Sequence, residues 1–202
     1  ARRGVKKYPN SLDLLSQLLK AYSLTGQTDS TVAVTARIIQ LDTTAIGPAL
    51  AAAQALQAAK RLKDARPFLD FALKHGDAPA KQAVAGIILN GALPLLQPPQ
   101  DFEGAAILLR EVGSLADPAG RVAPIANYFL GLSLLQQIPK LDPEAERQKS
   151  CELATKEQGL TREAETAFKA SGSYKPDDVV KFQKYLDGLK PRVASMLKVY
   201  CK

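Results

Sequence analysis

DFEGAAILLREV, Asp101 to Val112, follows the proline pair of LLQPPQ and reads as a helix that starts acidic and soon turns apolar. Whether it stands alone or is one copy of a repeated unit decides the architecture. Comparing the chain with itself finds it again. KDARPFLDFAL (Lys63 to Leu73) places Ala65 where FEGAAILLREV has Ala105, with apolar residues following at helical spacing. PEAERQKSCELA (Pro143 to Ala154) puts Ala145 in the same role, and DSTVAVTARIIQLD offers Thr31 or Ala33, then Ile38 and Leu41. The opening stretch is one copy of four.

Each copy follows a helix that is apolar on one side. The first of these, SLDLLSQLLKAYSLTG (Ser11 to Gly26), carries Leu15, Leu18, Leu19 and Tyr22 at i, i+3, i+4 and i+7, the stripe of an amphipathic helix. The others are GPALAAAQALQAAKRL, AKQAVAGIILNGAL and RVAPIANYFLGLSLLQQ. Breakers mark the joins at Gly26, Gly47-Pro48, Gly76 to Pro79, Pro98-Pro99, Asp117-Pro118 and Asp142-Pro143. Composition agrees: 46% hydrophobic and 23% charged place the chain among soluble globular proteins, and leucine and alanine dominate while tryptophan is absent. The reading is helix, turn, helix throughout, an all-α chain.

This pattern resembles the tetratricopeptide repeat, a 34-residue pair of antiparallel helices. A repeat starting at Leu12 takes Leu15 and Leu18 at its fourth and seventh positions, Tyr22 at its eleventh and Gly26 at the turn. One starting at Ile46 takes Leu56, Ala65, Leu69 and Ala72 at positions 11, 20, 24 and 27. The third carries Ala105 and Leu109 at positions 20 and 24, and the fourth carries Leu130-Gly131 at positions 7 and 8 with Leu134 at 11. Small residues belong where helices cross closely, and large apolar ones fill the gaps beside them. The pattern departs from the family where Ala65, Ala105 and Ala145 lie 40 apart, through insertions at PLLQPPQ and IPKLDP, and where position 27 of the third unit is Val112.

The resemblance covers roughly residues 8 to 157. It implies a right-handed superhelical solenoid of helix pairs, divided as 1–10, the tail of a preceding repeat; 11–158, about four hairpins; and 159–202, capping helices. Pro9 falls at position 32 of that preceding repeat, so the array is expected to continue upstream. TREAETAFKAS, PDDVVKFQKYLDGLK and PRVASMLKVYCK are the expected capping helices, since an open repeat stack ends in an apolar face.

Little in the sequence offers chemistry. The one histidine, His75, sits at a helix end, and the pairs Glu144/Glu146, Glu163/Glu165 and Asp177/Asp178 point apart on a helix. Gly86 and Gly91 lack the spacing of a phosphate loop. No catalytic, cofactor or metal residue is assigned, and neither a small-molecule substrate nor a cofactor is expected. The most apolar run, Ala83 to Leu96, is 14 residues with Asn90 and Pro94 inside it, against roughly 20 for a membrane span. The net charge of +7 gathers in ARRGVKK and at Lys175, Lys181, Lys184, Lys190, Arg192, Lys198 and Lys202. Asp177, Asp178 and Asp187 interleave there, which favours a solvated surface over a nucleic-acid one. Cys151 and Cys201 match no zinc or redox spacing. They are either two small buried residues in a reducing compartment or a disulfide, and the second would place the chain outside the cytoplasm, periplasmic or secreted.

The family's ligand-facing positions, carried onto this chain, are Asp13, Ser16, Lys20 and Ser23; Leu50, Gln54 and Gln57; Lys81, Val84 and Ile88; and Ile125, Tyr128, Leu132 and Leu135. The apolar end suits a peptide or helical partner held by apolar anchors, or it is filled by the capping helices. The function expected is a non-enzymatic protein–protein scaffold. The alternatives are an accessory region of a larger enzyme or cell-envelope complex, and a basic nucleic-acid-binding module.

Overall fold

Leucine and alanine at helical spacing become helix almost wherever the sequence predicts it. A computed structural model describes residues 2–201, and among them there are eleven α-helices and no strand. They are α1 (Arg2–Lys7), α2 (Leu12–Leu24), α3 (Thr28–Leu41), α4 (Ile46–Ala58), α5 (Leu62–His75), α6 (Ala78–Ala92), α7 (Phe102–Leu115), α8 (Val122–Leu135), α9 (Ile138–Gln148), α10 (Cys151–Ala170) and α11 (Pro176–Tyr200). None is long and apolar enough to cross a membrane. The chain divides into two compact units, with the boundary between Gly91 and Ala92.

In the first unit, the Ser11 hydroxyl accepts the Leu14 N–H and caps the start of α2. Leu15 and Leu18 of α2 meet Val34 and Ile38 of α3 and Ala45, with Val5 of α1 and Tyr22 packed against them. α4 and α5 then repeat α2 and α3 at a fixed offset. Leu12 and Ile46, Leu24 and Ala58, Thr28 and Leu62, and Leu41 and His75 are each 34 residues apart, so all four helix bounds recur. Burial recurs with them. Thr31 and Ala65, again 34 apart, are both interior, whereas Ala33 is exposed; Thr31 is therefore the small residue of the first pair.

The turn recurs as well. Gly26 closes the first pair with φ 65°, and Lys60, 34 residues on, closes the second with φ 60°. Glycine adopts this left-handed conformation freely, while a side chain there is strained. Lys60→Gly is expected to stabilise the protein by about 0.5–1 kcal/mol, read as a rise in the urea midpoint. A fall would mean that the lysine side chain holds the turn.

The second unit departs from the expected hairpins. The insertion PLLQPPQ forms a 3-10 turn at Leu93–Leu96 and a short link to Asp101, whose carboxylate accepts the Gly104 N–H and starts α7. α7 pairs with α8, and α8 packs also on α10. The expected helix from Pro143 to Ala154 does not exist as one piece. α9 runs through Pro143, which removes only the bond to the Pro139 carbonyl, and stops at Gln148, where Lys149 turns left-handed at φ 49°. Ser150 then caps α10 through the Leu153 N–H.

α10 continues unbroken through Gln158-Gly159, where the sequence reading placed the end of the repeats. Its buried stripe of Ala154, Leu160, Ala164, Ala167 and Phe168 outweighs one glycine. α11 likewise runs through Pro191, so the last two expected helices are one. α10 is the hub of this unit, in contact with α8, α9 and α11. Arg110 of α7 also grips Glu163 of α10 through two parallel hydrogen bonds of 2.6 and 2.8 Å.

Candidate functional site

The first unit carries an open cleft of about 320 Å³. Ala51, Gln54, Ala55 and Ala58 form one wall, at i, i+3, i+4 and i+7 along α4; Ser23 and Gly26 at the end of α2, with Thr28 and Thr31 of α3, form the other. The alanines make room, because a short side chain on a helix face leaves its neighbour's backbone approachable. No charged side chain lines the cleft. Its chemistry is hydroxyl, amide and methyl, suited to backbone amides and small apolar groups and lacking any acid–base pair.

The ligand-facing positions read from the sequence divide into three groups. Asp13, Ser16, Lys20, Ser23, Gln54 and Lys81 are exposed, and Ser23 and Gln54 line the cleft. Leu50, Gln57, Ile125 and Leu132 are half-buried, and the Gln57 amide is engaged, donating to the Asn90 carbonyl at 3.0 Å. Val84, Ile88, Tyr128 and Leu135 are interior and present almost no surface.

For Tyr128 the reason is visible. The chain's own C-terminal part covers it: its ring meets Tyr174 edge-on at 5.3 Å and lies 6.2 Å from Phe168, and its hydroxyl donates to Asp178 at 3.3 Å. Burial, and then the Asp178 charge, raise the pKa of its phenol. Lys175 stands over the Tyr128 ring at 5.2 Å. This nest joins α8, α10 and α11 within the second unit. Gly131 allows it, since a β-carbon there would lie 2.8 Å from the Phe168 ring.

Two features stood outside the sequence reading. A polar pocket of about 250 Å³ is lined by Asp101, Phe102, Gln137, Lys140 and Lys156 among others, with Lys140 over the Phe102 ring at 5.8 Å. The second feature is Glu157, wholly buried on α10 with neither carboxylate oxygen hydrogen-bonded. A signal for it exists: Glu157 falls between Ala154 and Leu160, Thr161 and Ala164, on the apolar stripe of its helix.

Cys151 and Cys201 are joined in a disulfide, tying the start of α10 to the residue that follows α11. Several of the C-terminal basic residues are paired. Lys190 meets Glu165 and Asp187, Arg192 meets Asp142 and Glu146, and Lys181 meets Asp178. Two lysines hold the Glu165 carboxyl down to about 2. Lys202 lies outside the described residues. His75 is exposed and tilts against Phe71 at 4.8 Å. Among the described residues, no group of three or more histidine, cysteine or acidic side chains is arranged to hold a metal ion. Comparison with family models, with curated proteins and with solved structures returns no match to this chain.

Proposed function

We propose that this chain is a protein–protein interaction scaffold, without catalytic activity of its own, that takes a peptide or helical segment of a partner into the cleft of its first unit. In this reading the helix pairs are tetratricopeptide-like repeats that stack as a right-handed superhelix, with α10 and α11 as the cap. The observation that carries it is that α4 and α5 repeat, at 34 residues, both helix bounds of α2 and of α3, the small buried residue and the left-handed turn. A unit copied at fixed length presents the same face each time, and an uncharged cleft of alanine, serine, threonine and glutamine opens on that face.

The test uses a displayed library of random peptides, selected on the whole chain and measured by calorimetry. Ser23→Arg and Ala51→Arg change exposed side chains at the cleft and are expected to weaken the selected peptides more than tenfold, about 1.4 kcal/mol, with thermal stability unchanged. Binders indifferent to both substitutions would locate recognition elsewhere.

The disulfide supports a second reading, an accessory helical region of a cell-envelope or secreted complex, because such bonds persist in oxidising compartments. The nucleic-acid reading draws less support, since Lys181, Lys190 and Arg192 already face acids.

A further inference from the structure

Among the described residues, Glu157 is the one carboxylate that is wholly buried, and both of its oxygens lack a partner. Oδ1 of Asp142 is also buried and unpaired. Buried polar atoms are almost always hydrogen-bonded, and an unpaired buried charge is strongly destabilising. These orphaned oxygens therefore mark a place where a charge is avoided or where something small is bound. The side chains are not arranged to hold a metal ion, and the smallest species that removes the charge is a proton.

The charged groups facing Glu157 come from two neighbouring helices. α9 brings Asp142 and Glu146, and α11 brings Arg192. Two further helices reach α10: α8, whose only ionisable side chain, Tyr128, lies against Phe168 at the other end of α10, and α7, whose Arg110 is bound to Glu163. The single guanidinium is already taken, with Arg192 bound to Asp142 at 2.7 Å and to Glu146 at 2.7 Å. An ionised Glu157 would be a third carboxylate around one cation. It has to stay neutral, reach water, or pull Arg192 away. Each of the last two disturbs α11, because Val193 and Met196 follow Arg192 in sequence and pack with Ala145 and Ala154 in one apolar cluster.

We propose that Glu157 is a proton-operated latch on the C-terminal half of α11. With its carboxyl neutral, Leu186 to Tyr200 stay seated on α9 and α10; with it ionised, that half loosens. The Cys151–Cys201 bond keeps the end attached, so the loosened state is a bulge rather than a detached helix.

The direction follows from the surroundings. Burial, and then the Asp142 charge, push the Glu157 carboxyl up to about 7 from an ordinary 4.5. The folded chain holds a proton that the unfolded chain releases. The stability from this group is therefore fully present below 4.5 and is lost as pH rises to about 7.

Hydrogen exchange of the intact, disulfide-bonded chain at about pH 6 and about pH 8.5, corrected for the intrinsic exchange rate and referred to α8, tests the latch. The wild type should lose about tenfold in protection over Leu186 to Tyr200 relative to α8, and Glu157→Gln should show no such relative loss. No relative loss in the wild type, or the same loss in both proteins, overturns the proposal. Carbon NMR of the wild-type Glu157 carboxyl reads the same point without a variant: a midpoint near 7 supports the latch, and the ordinary 4.5 overturns it.

Discussion

Replacing both Cys151 and Cys201 by serine is expected to lower the stability of the second unit by about 4 kcal/mol. The bond spans 50 residues of sequence and encloses α10, the link after it and α11. Opening it returns that whole loop to the unfolded ensemble, where closure restricts the chain most. Urea unfolding of the serine variant beside the oxidised wild type measures the difference. A loss below about 1 kcal/mol would mean that the reduced chain keeps residues 151 and 201 close together even when unfolded.

Phe168→Ala is expected to cost as much, about 4 kcal/mol. Phe168 is among the largest fully buried side chains, stacks on Phe182 at 5.2 Å and lies edge-on to Tyr128 at 6.2 Å. Its ring also sits over the bare backbone of Gly131. That contact makes the pair separable by a double-mutant cycle. Gly131→Ala should destabilise the wild type by about 1–3 kcal/mol, yet do little once Phe168 is alanine, because the space its methyl needs has opened. Additive losses would show that the two residues do not meet.

The pairing of α2 with α3 and of α4 with α5 was legible because it rests on local signals. Leu15, Leu18 and Tyr22 declare a helix face, Gly26 declares a turn, and Ala65, Ala105 and Ala145 are all wholly buried, as their small size at a crossing predicts. What the sequence hid was decided by packing at a distance. Asp142-Pro143 looks like a break but costs one backbone bond inside α9; Lys149 looks unremarkable and makes the actual break by turning left-handed. Pro191 and Gly159 lie inside long helices because α10 and α11 bury enough against their neighbours to outweigh them.

The same holds for the candidate site. Gln54 and Ser23 were placed by the register of the repeat that the chain resembles, and they line the cleft. Tyr128 was placed by the same register and is interior, because the nest of Phe168, Tyr174 and Phe182 assembles from residues about 40 to 54 positions further along. Glu157 offered a readable clue, an acid on an apolar stripe, but its meaning depends on Asp142 and Arg192 arriving from other helices.

The recurrence of one helix pair at a 34-residue offset is tested most directly by backbone and methyl NMR of the intact chain. Helical shifts are expected to stop at Leu24 and resume at Thr28, and to stop at Ala58 and resume at Leu62. Methyl contacts are expected between Leu15 and Leu18 on one side and Val34 and Ile38 on the other. Helix running unbroken through Gly26 or Lys60, or Leu15 and Ile38 methyls with no contact, would contradict it.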